Sequence, residues 1–191
     1  MTYEELLISI DLKGYKNVLP KVGKACLSNS HWFVICDNGD CHLFDRYGNE
    51  DDISKVKEIY ENMIPKDIKN IVIPNSVTNI KYCAFFSCSK LASMTISDNV
   101  MRIGNYALSG CSKLTNMTIP NNVTSIGNWV FSYCSSLTDI TIGNGVKSIR
   151  DKAFLGCSKL INITIDKPIK QVKEMAFYPW GIEDESIIKC N

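Results

Sequence analysis

Cysteine is the residue type with the most evident capacity for chemistry in this chain, and part of its spacing is regular. Of nine cysteines, Cys88, Cys111, Cys134 and Cys157 recur every 23 residues. On neighbouring turns of a repeat their Cα atoms would lie about 5 Å apart, inside the disulfide window. Side chains stacked in parallel point past one another, however, so buried thiols packing as small apolar groups are expected rather than a metal or redox wire. The odd count also argues against complete pairing. Cys36 and Cys41 form a second cluster with His31 and His42 around Asn38-Gly39. Asn-Gly is a strong hairpin signal. As a two-residue turn it would set Cys36 opposite Cys41, in the closely spaced kind of cross-strand pair. An oxidising compartment could join these two. Cys-x4-Cys beside two such histidines is a poor zinc spacing, and a reduced pair is expected.

No other pattern offers a reaction. The chain contains no G-x-S-x-G, no H-E-x-x-H and no glycine-rich phosphate loop. Its only two histidines both fall in the hairpin, leaving few ways to build a nucleophile and base pair. No catalytic residue, metal or cofactor is expected, and the chain is read as a non-enzyme. The net charge of +1 gives no footprint for nucleic acid or an acidic membrane surface. No apolar run is long enough to span a bilayer. Thr2, Tyr3, Glu4 and Glu5 are acidic or neutral where a secretory leader is basic. The expected location is cytoplasmic as the chain stands, or the cell surface or medium if a leader has been removed.

The regular cysteines belong to a longer pattern. Five gap-free segments of 23 residues begin at Ile68, Leu91, Leu114, Leu137 and Leu160 and run to residue 182. The fourth position is Ile71, Met94, Met117, Ile140 or Ile163, and the sixth is always Ile. The tenth is Val or Ile, the thirteenth Ile or Val, and the eighteenth Phe or Leu. Apolar positions four and six flank a fifth that is Val72 or Thr, so this stretch is a short strand with one face inward. Position seven (Pro74, Ser97, Pro120, Gly143, Asp166) ends it. Positions ten and thirteen bring a second extended segment to the same interior. Positions fifteen to twenty-one form a compact turn, with or without one turn of helix. One coil cannot bury its own apolar face, whereas stacked coils about 4.8 Å apart can. The fold expected is a leucine-rich-repeat solenoid, right-handed and mostly β, with a small α+β N-terminal cap.

The pattern L-x-x-[IM]-T-I-x-x-x-V-x-x-I-x-x-x-A-[FL]-x-x-C-S resembles the BspA-like leucine-rich repeat family over residues 68–182. That resemblance implies surface proteins of host-associated bacteria and some protists, adhesin-like, contacting host matrix proteins or other cells. It implies no catalytic residues.

Residues 1–66 do not repeat. Thr2 and Glu5 suit a capping box for a short helix containing Leu6 and Leu7, and the ISIDL stretch equally suits a strand. Residues 31–45 are expected as the hairpin. Ile53, Val56, Tyr60 and Met63 have helical spacing, so a helix is expected over 52–63 with Asp51 or Asp52 as its N-cap. At the other end Tyr178, Pro179 and Trp180 break the repeat, and residues 183–191 are expected as a C-terminal cap with a strand at 186–189; a cut inside a longer array is the competing reading.

The candidate binding face is the outward side of the first strand. Its third position holds Asn70, Ser93, Asn116, Asp139 and Asn162, and its fifth holds Val72, Thr95, Thr118, Thr141 and Thr164. Both columns face solvent and make a weakly charged Asn/Thr surface, the usual recognition side of such arrays. A plain solvent face whose threonines support the strands is the alternative. Asn116, Asn122 and Asn162 also stand in N-x-T sequons, which matter only if a eukaryote secretes the chain. The expected partner is a protein, with no nucleic acid and no membrane insertion, and the chain is read as a monomer. An intracellular scaffold without a dedicated ligand is the second reading.

Overall fold

The computed structural model describes residues 21–23, 31–35, 41–45, 50–61, 63–165, 171–172, 176 and 188–190. The proposed Thr2/Glu5 capping box, Cys36, Asn38-Gly39 and the Tyr178–Trp180 segment lie outside the described residues.

Each of the four 23-residue units described in full is one coil with three hydrogen-bonded walls. The first wall consists of the strands β6 (Asn70–Val72), β8 (Ser93–Thr95), β10 (Asn116–Ile119), β12 (Asp139–Ile142) and β14 (Asn162–Ile165). Burial alternates along them as the period-two pattern requires. In β10 and β12 the Met117/Ile119 and Ile140/Ile142 pairs are buried, while Asn116/Thr118 and Asp139/Thr141 face outward. The second wall is a six-stranded parallel sheet of two-residue strands, β5 (Glu58–Ile59), β7 (Asn79–Ile80), β9 (Arg102–Ile103), β11 (Ser125–Ile126), β13 (Ser148–Ile149) and β15 (Gln171–Val172). Its members pair in register, as in Ile80 with Ile103 and Ile149 with Val172.

Among the described residues the third wall contains neither strand nor helix, which answers what positions fifteen to twenty-one of the first four coils form. It is a run of turns whose amides alternate in direction. The N–H groups of Cys83, Phe85 and Ser87 donate forward to the carbonyls of Asn105, Ala107 and Ser109 at 3.2, 2.7 and 2.8 Å. Those of the intervening Ala84, Phe86 and Cys88 donate within the coil to Lys81, Cys83 and Phe85. The next coils repeat the scheme: Tyr106, Leu108 and Gly110 reach Asn128, Val130 and Ser132. This alternation rests on left-handed backbone at positions sixteen and twenty. Cys83, Tyr106, Trp129 and Lys152 have φ of 54–59°, Ser87 and Tyr133 have 58° and 59°, and glycine occupies the latter position as Gly110 and Gly156. A left-handed L-residue costs about 1–2 kcal/mol, and here Cys83, Ser87, Tyr106, Trp129 and Tyr133 each aim their own amide at a carbonyl one coil away.

The interior is one continuous apolar column. Phe85, Leu108 and Phe131 are fully buried and Phe154 nearly so, and the Phe131 and Phe154 rings stack at 5.4 Å and 8°. At about 1.5–3 kcal/mol per buried large side chain, the column is the main source of stability.

Two expectations are corrected. No helix spans 52–63. Asp52 does act as an N-cap, its carboxylate accepting from Ser54 N at 2.8 Å, but it caps only the single 3-10 turn Ile53–Lys55. The chain then enters β5, which pairs in parallel with β7 as Glu58 with Asn79 and Ile59 with Ile80. Sheet pairing overrides the helical spacing. Val56, Ile59 and Met63 turn inward, while Tyr60, which a helix would have buried, stays 40% exposed. The solenoid therefore begins with a half-coil before Ile68, inside the segment assigned to the cap.

The second correction concerns the hairpin register. Strands β1 (Lys21–Gly23), β2 (His31–Ile35), β3 (Cys41–Asp45) and β4 (Glu50–Asp51) form an antiparallel sheet in that order. Hairpin β2–β3 exists, but Ile35, not Cys36, pairs with Cys41. A connection longer than a two-residue turn slips the register by one, which moves every side chain to the other face of its strand relative to the partner. Cys41 instead packs against the core, and its thiol donates to Val72 O at 3.3 Å, tying the cap to the first coil. Among the described residues the last strand, β16, is Ile188–Cys190, which continues the first wall in parallel beside β14; residues 186 and 187 of the expected strand lie outside them.

Among the described glycines the closest approach is at Gly145, where a Cβ would fall on the Asn121 carbonyl of the preceding coil. The obstacle is backbone, so it cannot rotate away. Gly145→Ala is expected to lower stability by about 1–3 kcal/mol, against little change for the exposed neighbour in Asn144→Ala. Equal denaturation midpoints for the two variants would refute the tight contact.

Candidate binding surface

The structure places all nine candidate face residues on the outward side of the first wall. Parallel pairing sets Asn70 beside Ser93, Asn116 beside Asp139 and Asn162, and Thr118 beside Thr141 and Thr164. They do not form one unbroken sheet. β6 and β8 pair with each other, while β10, β12, β14 and β16 form a separate ladder. Beside the seam, Met94 and Ile96 are 8% and 7% exposed, against 3% and 1% for Met117 and Ile119 one coil on.

The polar column is largely committed to itself in the later coils. The Asp139 carboxylate accepts from Asn162 Nδ2 at 2.6 Å, and the Asn116 amide nitrogen reaches its other oxygen at 3.2 Å and Thr115 O at 3.1 Å. A carboxylate held between two amides stiffens the face. The threonine column beside it, with Val72 41% exposed at its start, is the part of the face that offers contact area.

The cysteine ladder has a structural role. Cys111, Cys134 and Cys157 thiols donate to Phe85 O, Leu108 O and Phe131 O of the preceding coil at 3.3, 3.3 and 3.0 Å. Burial is the main cause that raises every one of these thiol pKa values: Cys88 is pushed up to about 11, Cys157 to about 12, and Cys111 and Cys134 are pushed well above the ordinary thiol range. A thiol is nucleophilic only as the thiolate, so these groups are inert packing elements. Among the described residues no cluster of three or more His, Cys, Asp or Glu could hold a metal ion.

A network at the first coil has clearer electrostatics. Glu58 accepts from Lys81 Nζ at 2.8 Å, from Tyr60 OH at 2.6 Å and from Asn79 Nδ2 at 3.3 Å. The Lys81 hydrogen bond, then that of Tyr60, hold the Glu58 carboxyl below its usual range, and the same contact raises the Tyr60 hydroxyl. It locks the half-coil to the first full coil.

Reading the sequence for apolar columns missed an aromatic column on the third wall. Tyr106 and Trp129 stack at 5.7 Å and 12°, Tyr82 meets Tyr106 edge-on at 5.9 Å, and Lys152 Nζ lies 4.8 Å above the Trp129 ring. Tyr106, Trp129 and Lys152 share position sixteen, so their 23-residue spacing was the available signal. The rings cover one another's faces, which makes the column a stabilising stack on the turn side.

The family described as "BspA type Leucine rich repeat region" matches residues 57–182 in six copies. The sixth copy agrees with the half-coil that begins near β5. No curated protein matches the sequence significantly. Among solved structures, a leucine-rich repeat protein of T. pallidum is 31% identical with a TM-score of 0.54, covering 56% of this chain and 51% of its own. One from Eubacterium ventriosum is 22% identical with a TM-score of 0.62, covering 86% and 40%. The pneumococcal vaccine antigen PcpA is 17% identical with a TM-score of 0.50, covering 86% and 43%. The chain spans about half, or less, of the length of these structures.

Two outcomes are expected. In the native protein the four ladder thiols should resist a thiol reagent even near the ordinary thiol pKa of about 8.5, with labelling that tracks unfolding in denaturant. Fast labelling of any of them in the folded state would refute the inert reading. Because Glu58 titrates lower when folded, its contribution is present above the usual carboxylate range and is lost as pH falls through its depressed pKa. Glu58→Gln should therefore flatten the acid limb of stability against pH, by less than about 1 kcal/mol for so exposed a pair. An unchanged acid limb would show that the network contributes nothing.

Proposed function

Because the chain belongs to the BspA-type leucine-rich repeat family, we propose that this repeat scaffold is an adhesin-like module that binds protein through the outward face of its first wall and works at a cell surface. One observation supports the reading most directly. The nine outward residues lie on strands held in two parallel ladders, with β12 and β14 paired on both sides, so this part of the face is fixed before any partner arrives. Such a face avoids the ordering cost that weakens flexible binding surfaces. No helix among the described residues is long and apolar enough to cross a membrane, so display at a surface would rely on something other than a spanning helix in this region.

Size limits the affinity. Five coils at about 4.8 Å span about 24 Å, and four strand residues at about 3.3 Å span about 13 Å, giving a flat face of about 300 Å². A standard interface takes about 800 Å² from each partner. The face of this chain alone falls well short of that. Monomeric binding is therefore weak, and useful capture depends on many copies displayed together or on further coils of the same kind.

The test is capture, by beads carrying many copies of the chain, from a panel of purified extracellular-matrix proteins and from lysate of its own cell. Thr118→Lys with Thr141→Lys should cut capture of a matrix protein at least about tenfold, because two ammonium groups would stand in the middle of the face. Loss of a lysate partner instead, with no matrix protein captured, would favour the intracellular scaffold. Capture unaffected by the double variant would remove the strand face from the function.

A further inference from the structure

The edge between the first and second walls carries a groove of about 590 Å³ that runs along the solenoid from Lys57 to Thr124. It is separate from the strand face, and its lining has an unusual hydrogen-bond polarity. Asn99 Nδ2 donates to Asn75 O at 2.7 Å, and Asn122 Nδ2 donates to Asp98 O at 2.6 Å. Only an amide nitrogen can donate to a carbonyl, so both amides are fixed in orientation. The hydroxyls behave alike. Ser76 donates to Ile53 O at 3.0 Å, Thr78 to Lys57 O at 3.3 Å and Thr124 to Met101 O at 3.4 Å. These five side chains use hydrogens on the main chain of the coil before them. The Thr78 oxygen already accepts from Asn79 Nδ2 at 3.0 Å, while the Asn99 and Asn122 amide oxygens and the Ser76 and Thr124 hydroxyl oxygens remain as acceptors along the groove, on side chains tied to backbone.

A row of fixed neutral acceptors selects the ligand by chemistry. An anion finds a single ammonium, Lys57, at one end. A divalent cation finds no carboxylate among the groove residues, and carboxylates are its usual anchors. A ligand dense in hydroxyl groups fits, because each hydroxyl donates to one acceptor while its oxygen remains able to accept. Met101, in the same column as Thr78 and Thr124, is 48% exposed in the middle of the groove and offers an apolar patch for a C–H face. The column Lys57, Thr78, Met101 and Thr124 crosses three coil-to-coil steps, about 14 Å. We propose that this groove binds a short neutral oligosaccharide, with the Asn99 and Asn122 amides as acceptors and the Met101 side chain beneath a sugar ring.

The test is titration of the full isotope-labelled chain with neutral glucan and mannan hexaoses, and with a polygalacturonate hexamer and a lysine-rich peptide as charged controls. Saturable shifts at the Asn75, Asn99 and Asn122 side-chain amides and at Met101 are expected with a neutral hexaose, and weaker binding of both controls. Met101→Lys is expected to weaken that binding by at least about tenfold, since it sets a charge on the apolar patch. The substituted side chain is exposed and makes none of the coil-to-coil hydrogen bonds, so the variant should fold. Thr118→Lys with Thr141→Lys should leave sugar binding unchanged, which separates this site from the strand face. The proposal is overturned if no neutral hexaose shifts these groups, if Met101→Lys binds as well as the parent, or if either control binds more tightly.

Discussion

The rest of the structure depends on one constraint: much of each coil's main chain finds its hydrogen-bond partners on the neighbouring coils rather than within the coil. A unit of 23 residues is too short for a helix and a strand that could fold on each other. Its apolar positions all point one way, and most of its amides have no local acceptor. The parallel ladders of the first and second walls answer this in the usual manner of stacked strands. The third wall answers it with alternating turn amides, as where Phe85 N–H reaches Ala107 O and Phe131 N–H reaches Ala153 O. Burial of the Phe, Leu and Ile columns becomes possible only once that stacking has formed, so packing and hydrogen bonding are acquired together, one coil at a time.

Several features that look like chemistry are consequences of that constraint. The thiol of each ladder cysteine sits where an inter-coil carbonyl has a spare lone pair, and a small, weakly polar side chain suits a dry position. The buried Ser132 hydroxyl is satisfied in the same way, donating to Ser109 Oγ at 2.8 Å or to Trp129 O at 2.9 Å. The left-handed residues of the turn wall bear a local conformational cost that the inter-coil bonds offset. Even the asparagines at the groove edge spend their nitrogens on the preceding coil before any ligand is considered.

How much of this was legible in the sequence follows from the range over which each feature is determined. The strands of the first wall, the outward Asn and Thr columns and the buried thiols were readable, because they are set by the repeat and by alternation. The helix expected over 52–63 failed because its apolar spacing fits a helix and a coil edge equally well. What decides between them is the exposed edge of β7, which no local window contains. The hairpin was readable as a hairpin but not in its register, since Asn38-Gly39 fixes neither the length of the connection nor the pairing of Ile35 with Cys41. The groove acceptors were invisible because an asparagine's orientation depends on a carbonyl 24 residues away in sequence.

Inward and outward columns carry different kinds of information. The inward ones admit one class of residue per position, since a change of volume would be felt by the coils on both sides. The outward ones admit more variation. Position eleven runs through Thr78, Met101, Thr124 and Lys147. Specificity in such a molecule has to be written in these outward positions, because the inward ones have no freedom left with which to write it. The outward side chains are also arrayed at fixed spacing along a stiff axis. A partner therefore meets a line of small contacts rather than a pocket, and affinity grows with the number of coils engaged. The same arithmetic that stabilises the solenoid, a sum over identical neighbours, thus governs how strongly it can bind.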